Sequence, residues 1–214
     1  MTLADETAAF SAKSASKFSD EQKAIYRRSQ EHIESSDILA TALKVGDTAP
    51  SFELPDAYGE TVKLTDVLAT GPAVVSFYRG AWCPFCNLEL RAMQRELANA
   101  QQSGITLIAI SPNTPDESLG MIDKDELTFP VLSDAGNSVA KQFNLVYEME
   151  SGIVSLYREQ GRDIGAMNGS EVWELPVPAT YVIDQSGVIQ YAFVDLNHRV
   201  RAEPSEVVAI AAAL

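Results

Sequence analysis

Cysteine and histidine are scarce in this 214-residue chain, which holds two of each: Cys83, Cys86, His32 and His198. Two cysteines cannot build a disulfide scaffold. Neither histidine stands at a spacing that completes a metal site begun by Cys83 and Cys86, so no metal is expected. Positive charge is also short, with 16 Lys and Arg against 30 Asp and Glu, for a net charge of -14. Nucleic acid and anionic membrane surfaces reward clustered Lys and Arg, so neither is an expected partner. No apolar run is long enough to span a bilayer. The opening MTLADETAAF lacks the basic and apolar regions of a secretory signal, and a cytoplasmic location is expected.

Glycine and proline are missing altogether from residues 1–44. That absence, with frequent Lys, Glu, Gln and Ala, predicts a helical N-terminal extension. Ser19-Asp20-Glu21 reads as a cap, and Phe18, Ile25, Tyr26 and Ile33 as one side of the helix that follows. Such an arm either packs on its own domain or serves to form a homodimer.

What is present from Val45 onward is a single domain, residues 45–214. Turn-rich stretches flank residues 51–54, and Thr61–Leu64 reads as a short strand before one helical turn at 65–68. Ala73–Tyr78 and Ile105–Ile110 are apolar runs of strand length, suited to buried parallel strands. Between them, residues 84–102 repeat Leu88, Met93 and Leu97 at helical spacing, and Gly104 ends the pattern. Helices are predicted near 115–126 and 138–143, with a short strand at 130–132 between them. After an irregular segment, residues 179–184 and 188–193 form a hairpin around Gln185-Ser186-Gly187, and 203–214 form a closing helix. The order predicts an α/β domain with a mixed central sheet flanked by helices, the pattern of a thioredoxin-like fold.

Both cysteines fall where the strand at 73–78 hands over to a helix. Pro84 suits the first helical position, which places Cys83 at the cap and Cys86 in the first turn. Unpaired amide N–H groups and the positive end of the helix dipole favour negative charge there. An ordinary thiol titrates near ~8.5, whereas helix starts and CxxC settings lower it to roughly 3.5–7.5, enough to make a nucleophile at neutral pH. The spacing also permits a redox disulfide between Cys83 and Cys86. Two structural core cysteines are the alternative, and that reading leaves Pro84 unexplained. Arg79 could supply a positive field for a thiolate, although an arginine at a strand end is usually solvated. Trp82 could line a substrate site or pack at its rim. Residues 197–201, Asn-His-Arg-Val-Arg, precede the last helix and could face the site, although a surface loop is the plainer reading, and no pair of Asp or Glu shows a convergent spacing.

Most of residues 45–214 resembles the peroxiredoxins of the alkyl hydroperoxide reductase/thiol-specific antioxidant group, in a divergent branch that carries CxxC. The matching landmarks are residues 46–52, 73–78, 107–111, 129–134 and 180–184. The resemblance implies a thiol peroxidase that needs no bound cofactor. It would reduce hydrogen peroxide or organic hydroperoxides and be recycled by thioredoxin or a similar dithiol donor. Aligned through Phe77-Tyr78, the peroxidatic position falls on Cys86, with Cys83 at the family's threonine position and Arg79 at its proline. The arginine that the family places before the late strand is absent from residues 176–180. Trp82-Cys83-Pro84-Phe85-Cys86 is also similar to thioredoxin and glutaredoxin sites. Val177-Pro178-Ala179-Thr180 resembles their cis-proline segment, which would set Pro178 against the disulfide; an ordinary proline leading the strand is the alternative. This second likeness implies a thiol–disulfide oxidoreductase in which Cys83 attacks. A redox-responsive interaction protein, switching its oligomer through the arm, is the third reading.

Overall fold

The computed structural model describes all 214 residues. Three helices fill the N-terminal segment: α1 (Leu3–Ala15), α2 (Asp20–Glu34) and α3 (Ile38–Thr41). Capping boxes fix the starts of the first two. Thr2 and Asp5 reciprocate at α1, and Ser19 and Gln22 at α2, each pair satisfying backbone N–H groups that a helix start leaves open.

A small hairpin follows, β1 (Glu53–Pro55) with β2 (Thr61–Lys63), and then α4 (Leu64–Leu68). The central elements are β3 (Ala73–Phe77), α5 (Pro84–Gln102), β4 (Thr106–Ser111), α6 (Pro115–Asp125) and β5 (Val131–Ser133). A 3-10 turn leads to α7 (Ser138–Gln142), β6 (Val146–Glu148), α8 (Ser151–Glu159), α9 (Ile164–Met167) and β7 (Glu174–Pro176). The chain closes with β8 (Ala179–Ile183), β9 (Ile189–Val194) and α10 (Pro204–Ala211).

The main sheet has the order β5-β4-β3-β8-β9. Its first three strands are parallel, while β8 runs antiparallel to both β3 and β9. The mixed sheet flanked by helices is the architecture that the order of apolar runs predicts. The segment expected to be irregular is where sequence and structure part. Residues 144–178 hold the antiparallel pair β6–β7 and, between its strands, the helices α8 and α9. Their strands have three residues each, too few for a period to register, and α8 buries only Ile153, Leu156 and Tyr157.

Side chains alternate across β3, so the sheet separates two cores. Val75 and Phe77 face one, with Phe143 and Tyr181; Val74 and Tyr78 face the other, with α5 and α10. Both cysteines belong to the second core. The N-terminal helices bridge the two faces: Ile33 and Ile38 are buried in the first core, while Phe10 packs against the second. Phe10 meets Phe85 edge-on at 5.3 Å between centroids. α1 is tied down by the Leu3 N–H donating to the Glu203 carboxylate (2.8 Å) and by an Arg95–Glu6 ion pair (2.7 Å).

Phe77, Phe143 and Tyr181 form a fully buried aromatic group, with centroids 4.8–6.2 Å apart. Phe143→Ala should therefore destabilise the fold by about 3–5 kcal/mol, from lost burial plus the cavity left behind. Urea unfolding should show a lower midpoint at an unchanged slope; a shift under about 1 kcal/mol would contradict this packing.

Candidate active site

The site is built on the turn between β3 and α5. Gly80 has φ 141°, and a Cβ there would strike the Trp82 indole and the Asn113 amide oxygen, so only glycine fits. Two asparagines pin the turn: the Ala81 N–H donates to Asn113 Oδ1 (2.8 Å), and Asn87 Nδ2 donates to the Ala81 carbonyl (3.0 Å). Asn113 is itself held by Asn168 (2.8 Å) in the tight turn at 168–170. The Cys83 N–H then donates to the Gly80 carbonyl (3.1 Å) and Asn87 N–H to the Cys83 carbonyl (3.1 Å). Cys83 is the N-cap of α5, Pro84 its first residue, and Cys86 lies in the first turn.

Both thiols are free and buried, Cys83 at 1% exposure and Cys86 at 0%. They titrate in opposite directions. The Cys86 thiol donates a hydrogen bond to Cys83 and, against the cost of burial, this lowers the Cys83 pKa to about 5; Arg79, Arg201 and the Cys86 backbone N–H add to the effect. Burial, its bond to Cys83 and the charge on Cys83 push Cys86 well above the usual thiol range. The dithiol thus gives up one proton readily and keeps the second, with the negative charge mainly on Cys83.

Two guanidiniums hold that charge. Arg79 is 6% exposed and stacks over the Trp82 ring at 4.9 Å. Burial works against its charge, yet Tyr147, Tyr157 and the two cysteines keep its pKa raised. Arg201 lies on the other side, its side chain 2% exposed, and Nη2 donates to Cys86 Sγ at 3.4 Å. Its Nε sits 2.7 Å from Glu89 Oε2, an ionic contact whose N–H is not aligned for a hydrogen bond. Glu89 accepts from Ser76 Oγ (3.1 Å) and Thr180 Oγ1 (3.5 Å), and burial raises its pKa. Two buried guanidiniums against one carboxylate leave one positive charge, and a thiolate balances it.

Cys83 lines a cleft of about 350 Å³, whereas Cys86 lies behind it and does not reach the surface. The cleft walls come from α1, α2, α8 and the segment before α10, with Arg79 and Trp82 inside. Of the residues expected at the site, Cys83, Cys86, Arg79 and Trp82 are together. Pro178 adjoins β8 at the sheet end that carries Arg79; it is trans and buried, and it is not one of the residues lining the cleft. The loop before α10 takes the less expected of its two readings. It sends Arg201 into the protein to the second sulfur, because Glu89 is buried beneath it and needs a cation. Glu89, and its pairing with Arg201, escaped the sequence reading because the two are 112 residues apart and ordinary in type.

With this geometry in place, comparison with known proteins identifies its class. The sequence model of the AhpC/TSA family matches residues 45–192. The chain belongs to the AhpC/TSA family, as a peroxiredoxin-like protein of thioredoxin-like fold. Peroxiredoxin Bcp of Escherichia coli K12 is 34% identical over 103 residues, which span 48% of this chain and 65% of that protein. Rv2521 of Mycobacterium tuberculosis H37Rv, which carries a peroxiredoxin name, is 30% identical over 152 residues, covering 71% and 85%. Among solved structures, peroxidoxin BcpB from M. tuberculosis has TM-score 0.63 at 22% identity, covering 80% of this chain and 98% of that one. AhpC of the same organism has TM-score 0.61 at 15% identity, covering 80% and 93%.

The Arg201–Glu89 pair is buried on both sides, so removing one partner strands the other's charge. Glu89→Ala should cost about 3–5 kcal/mol of stability in denaturant unfolding. A loss under about 1 kcal/mol would mean that the pair is not formed as described.

Proposed function

We propose that this chain is a cytoplasmic thiol peroxidase acting through the Cys83–Cys86 dithiol. The observation that carries the reading is the Cys83 sulfur at the start of α5, lining a cleft together with Arg79 while Cys86 is enclosed behind it; the Cys86 hydrogen bond, then Arg79 and Arg201, favour its thiolate. Cys83 attacks the distal oxygen of a hydroperoxide; the O–O bond breaks and the alcohol or water leaves with a proton. Cys83 is then a sulfenic acid. The Cys86 thiol attacks its sulfur, water departs, and the Cys83–Cys86 disulfide forms. A thiol donor returns both electrons.

Family membership supports the peroxidase chemistry, and the burial of the site supports a small substrate. α1 roofs the sulfurs through the Phe10–Phe85 contact, an arrangement unsuited to a folded protein presenting its own disulfide. The thiol–disulfide oxidoreductase reading is therefore the weaker one. Leu3, Ile33 and Ile38 are buried against their own chain, which gives the arm a role as a wall of the site rather than only as a dimer element.

A second assignment of roles has one observation in its favour. Arg201 touches Cys86, the position that the family register marks as peroxidatic, so Cys86 could attack if α5 opened its first turn. Single-turnover peroxide consumption separates the two. With Cys83 as the attacking group, Cys86→Ser still consumes peroxide and stops at a sulfenic acid. Cys83→Ser slows by about 30-fold or more, the factor set by the small thiolate fraction of an ordinary thiol at pH 7. The reverse pattern would assign the attack to Cys86. An ordinary thiol rate in the wild type and both variants would rule out the peroxidase.

A further inference from the structure

The cleft over Cys83 runs into a second hollow of similar volume, about 350 Å³, and the two share Ser14, Phe18, Tyr26, His198 and Arg199. Their combined walls carry five cations, Lys23, Arg27, Arg79, Arg162 and Arg199, and not one carboxylate. In a chain with 30 acidic and 16 basic residues, that segregation is far from what composition alone provides. Lys23 and Arg27 have acidic neighbours outside the hollow, Asp20 and Glu31. Arg79, Arg162 and Arg199 have no carboxylate partner; they lie over the rings of Trp82, Tyr157 and Phe85 at 4.9, 5.5 and 5.9 Å. The buried Arg79 Nε has no hydrogen-bond partner at all. Burial, and then the charges of Arg79, Arg201 and Arg199, depress His198 well below the usual histidine range, a second sign of a positive field converging here.

The same roof that shields Cys83 also decides what can reach its disulfide. α1 is fastened at Leu3 and Glu6, and a sulfur at 1% exposure offers no flat surface to a protein donor. A cleft of this volume suits a small organic molecule. Resting on the peroxidase reading, we propose that the oxidised Cys83–Cys86 pair is reduced in this cleft by a small thiol bearing carboxylates, bound at Arg162 and Arg199, and not by a protein dithiol such as thioredoxin. The incoming thiolate attacks Cys83 Sγ. The intramolecular S–S bond breaks, and Cys86 departs as a thiolate beside Arg201 and takes up a proton. A second thiolate attacks the outer sulfur of the mixed disulfide, releasing a small-molecule disulfide and the Cys83 thiolate. Two small thiols thus supply the two electrons that one hydroperoxide consumed.

The reductive half-reaction can be measured apart from peroxide. The wild-type protein is oxidised to its disulfide with diamide, and reduction is followed by tryptophan fluorescence with glutathione, glutathione diethyl ester, 2-mercaptoethanol and reduced thioredoxin. Rates are compared per mole of thiolate. Glutathione should exceed its ester, in which both carboxylates are masked, by about tenfold, the combined size of two exposed charge interactions. Thioredoxin should be no faster than glutathione. In Arg162→Ala/Arg199→Ala the glutathione-to-ester ratio should collapse toward one, and in Arg162→Lys/Arg199→Lys most of it should return. A ratio below about threefold in the wild type, or thioredoxin outpacing glutathione, would overturn the proposal. Pre-reduced protein that ignores peroxide but shows the ratio would sink the peroxidase reading and leave this donor assignment standing.

Discussion

One negative charge has to be held where water does not reach, and the arrangement of this domain follows from that need. Arg79 and Arg201 are both buried, and Glu89 neutralises only one of them. Unpaired charge in a protein interior is costly, so the surplus positive charge favours ionisation of the nearest group that can lose a proton. That group is the dithiol. Cys86 lends its proton as a hydrogen bond, and the charge settles on Cys83, at the cap of α5, where the Cys86 amide N–H adds a smaller contribution.

The fold supplies each member of this set from a different direction. Arg79 comes from the end of β3, Glu89 from the second turn of α5, and Arg201 from the loop before α10. The sheet fixes the first relative to the second, because β3 pairs directly with β4 and β8, and α5 springs from its end. The tether of α1 to Glu203 and Arg95 then closes the site from above, leaving a cleft for small reactants. Stability and reactivity are coupled here: the buried ion pair that organises the helix face also sets the field at the sulfurs.

The strands and the CxxC helix start were legible because their signals are local. Apolar runs of strand length marked β3 and β4, and Pro84 between the cysteines marked the first residue of α5. The capping boxes of α1 and α2 are equally local, and Ser19 is recognisable as a cap from its immediate neighbours alone. What could not be read was whatever depends on distant partners. Arg201 and Glu89 meet only in three dimensions, and nothing in Asn197–Arg201 distinguishes a loop that turns inward from one that stays in solvent. Pro178 shows the converse, since its resemblance to a cis-proline segment was local, and in three dimensions the residue is trans and does not line the cleft. The short elements between 144 and 178 lacked the length for either period to show.

The central claim is that the buried pair carries one thiolate, favoured by the Cys86 hydrogen bond and by two arginines set against one carboxylate. Thiolate absorbance near 240 nm, followed across a pH titration of the reduced protein, tests it most directly. One thiolate per chain should appear as the pH rises through about 5, with the second withheld until well above the range of an ordinary thiol. Two thiolates emerging together near ~8.5, as free cysteines do, would contradict the account.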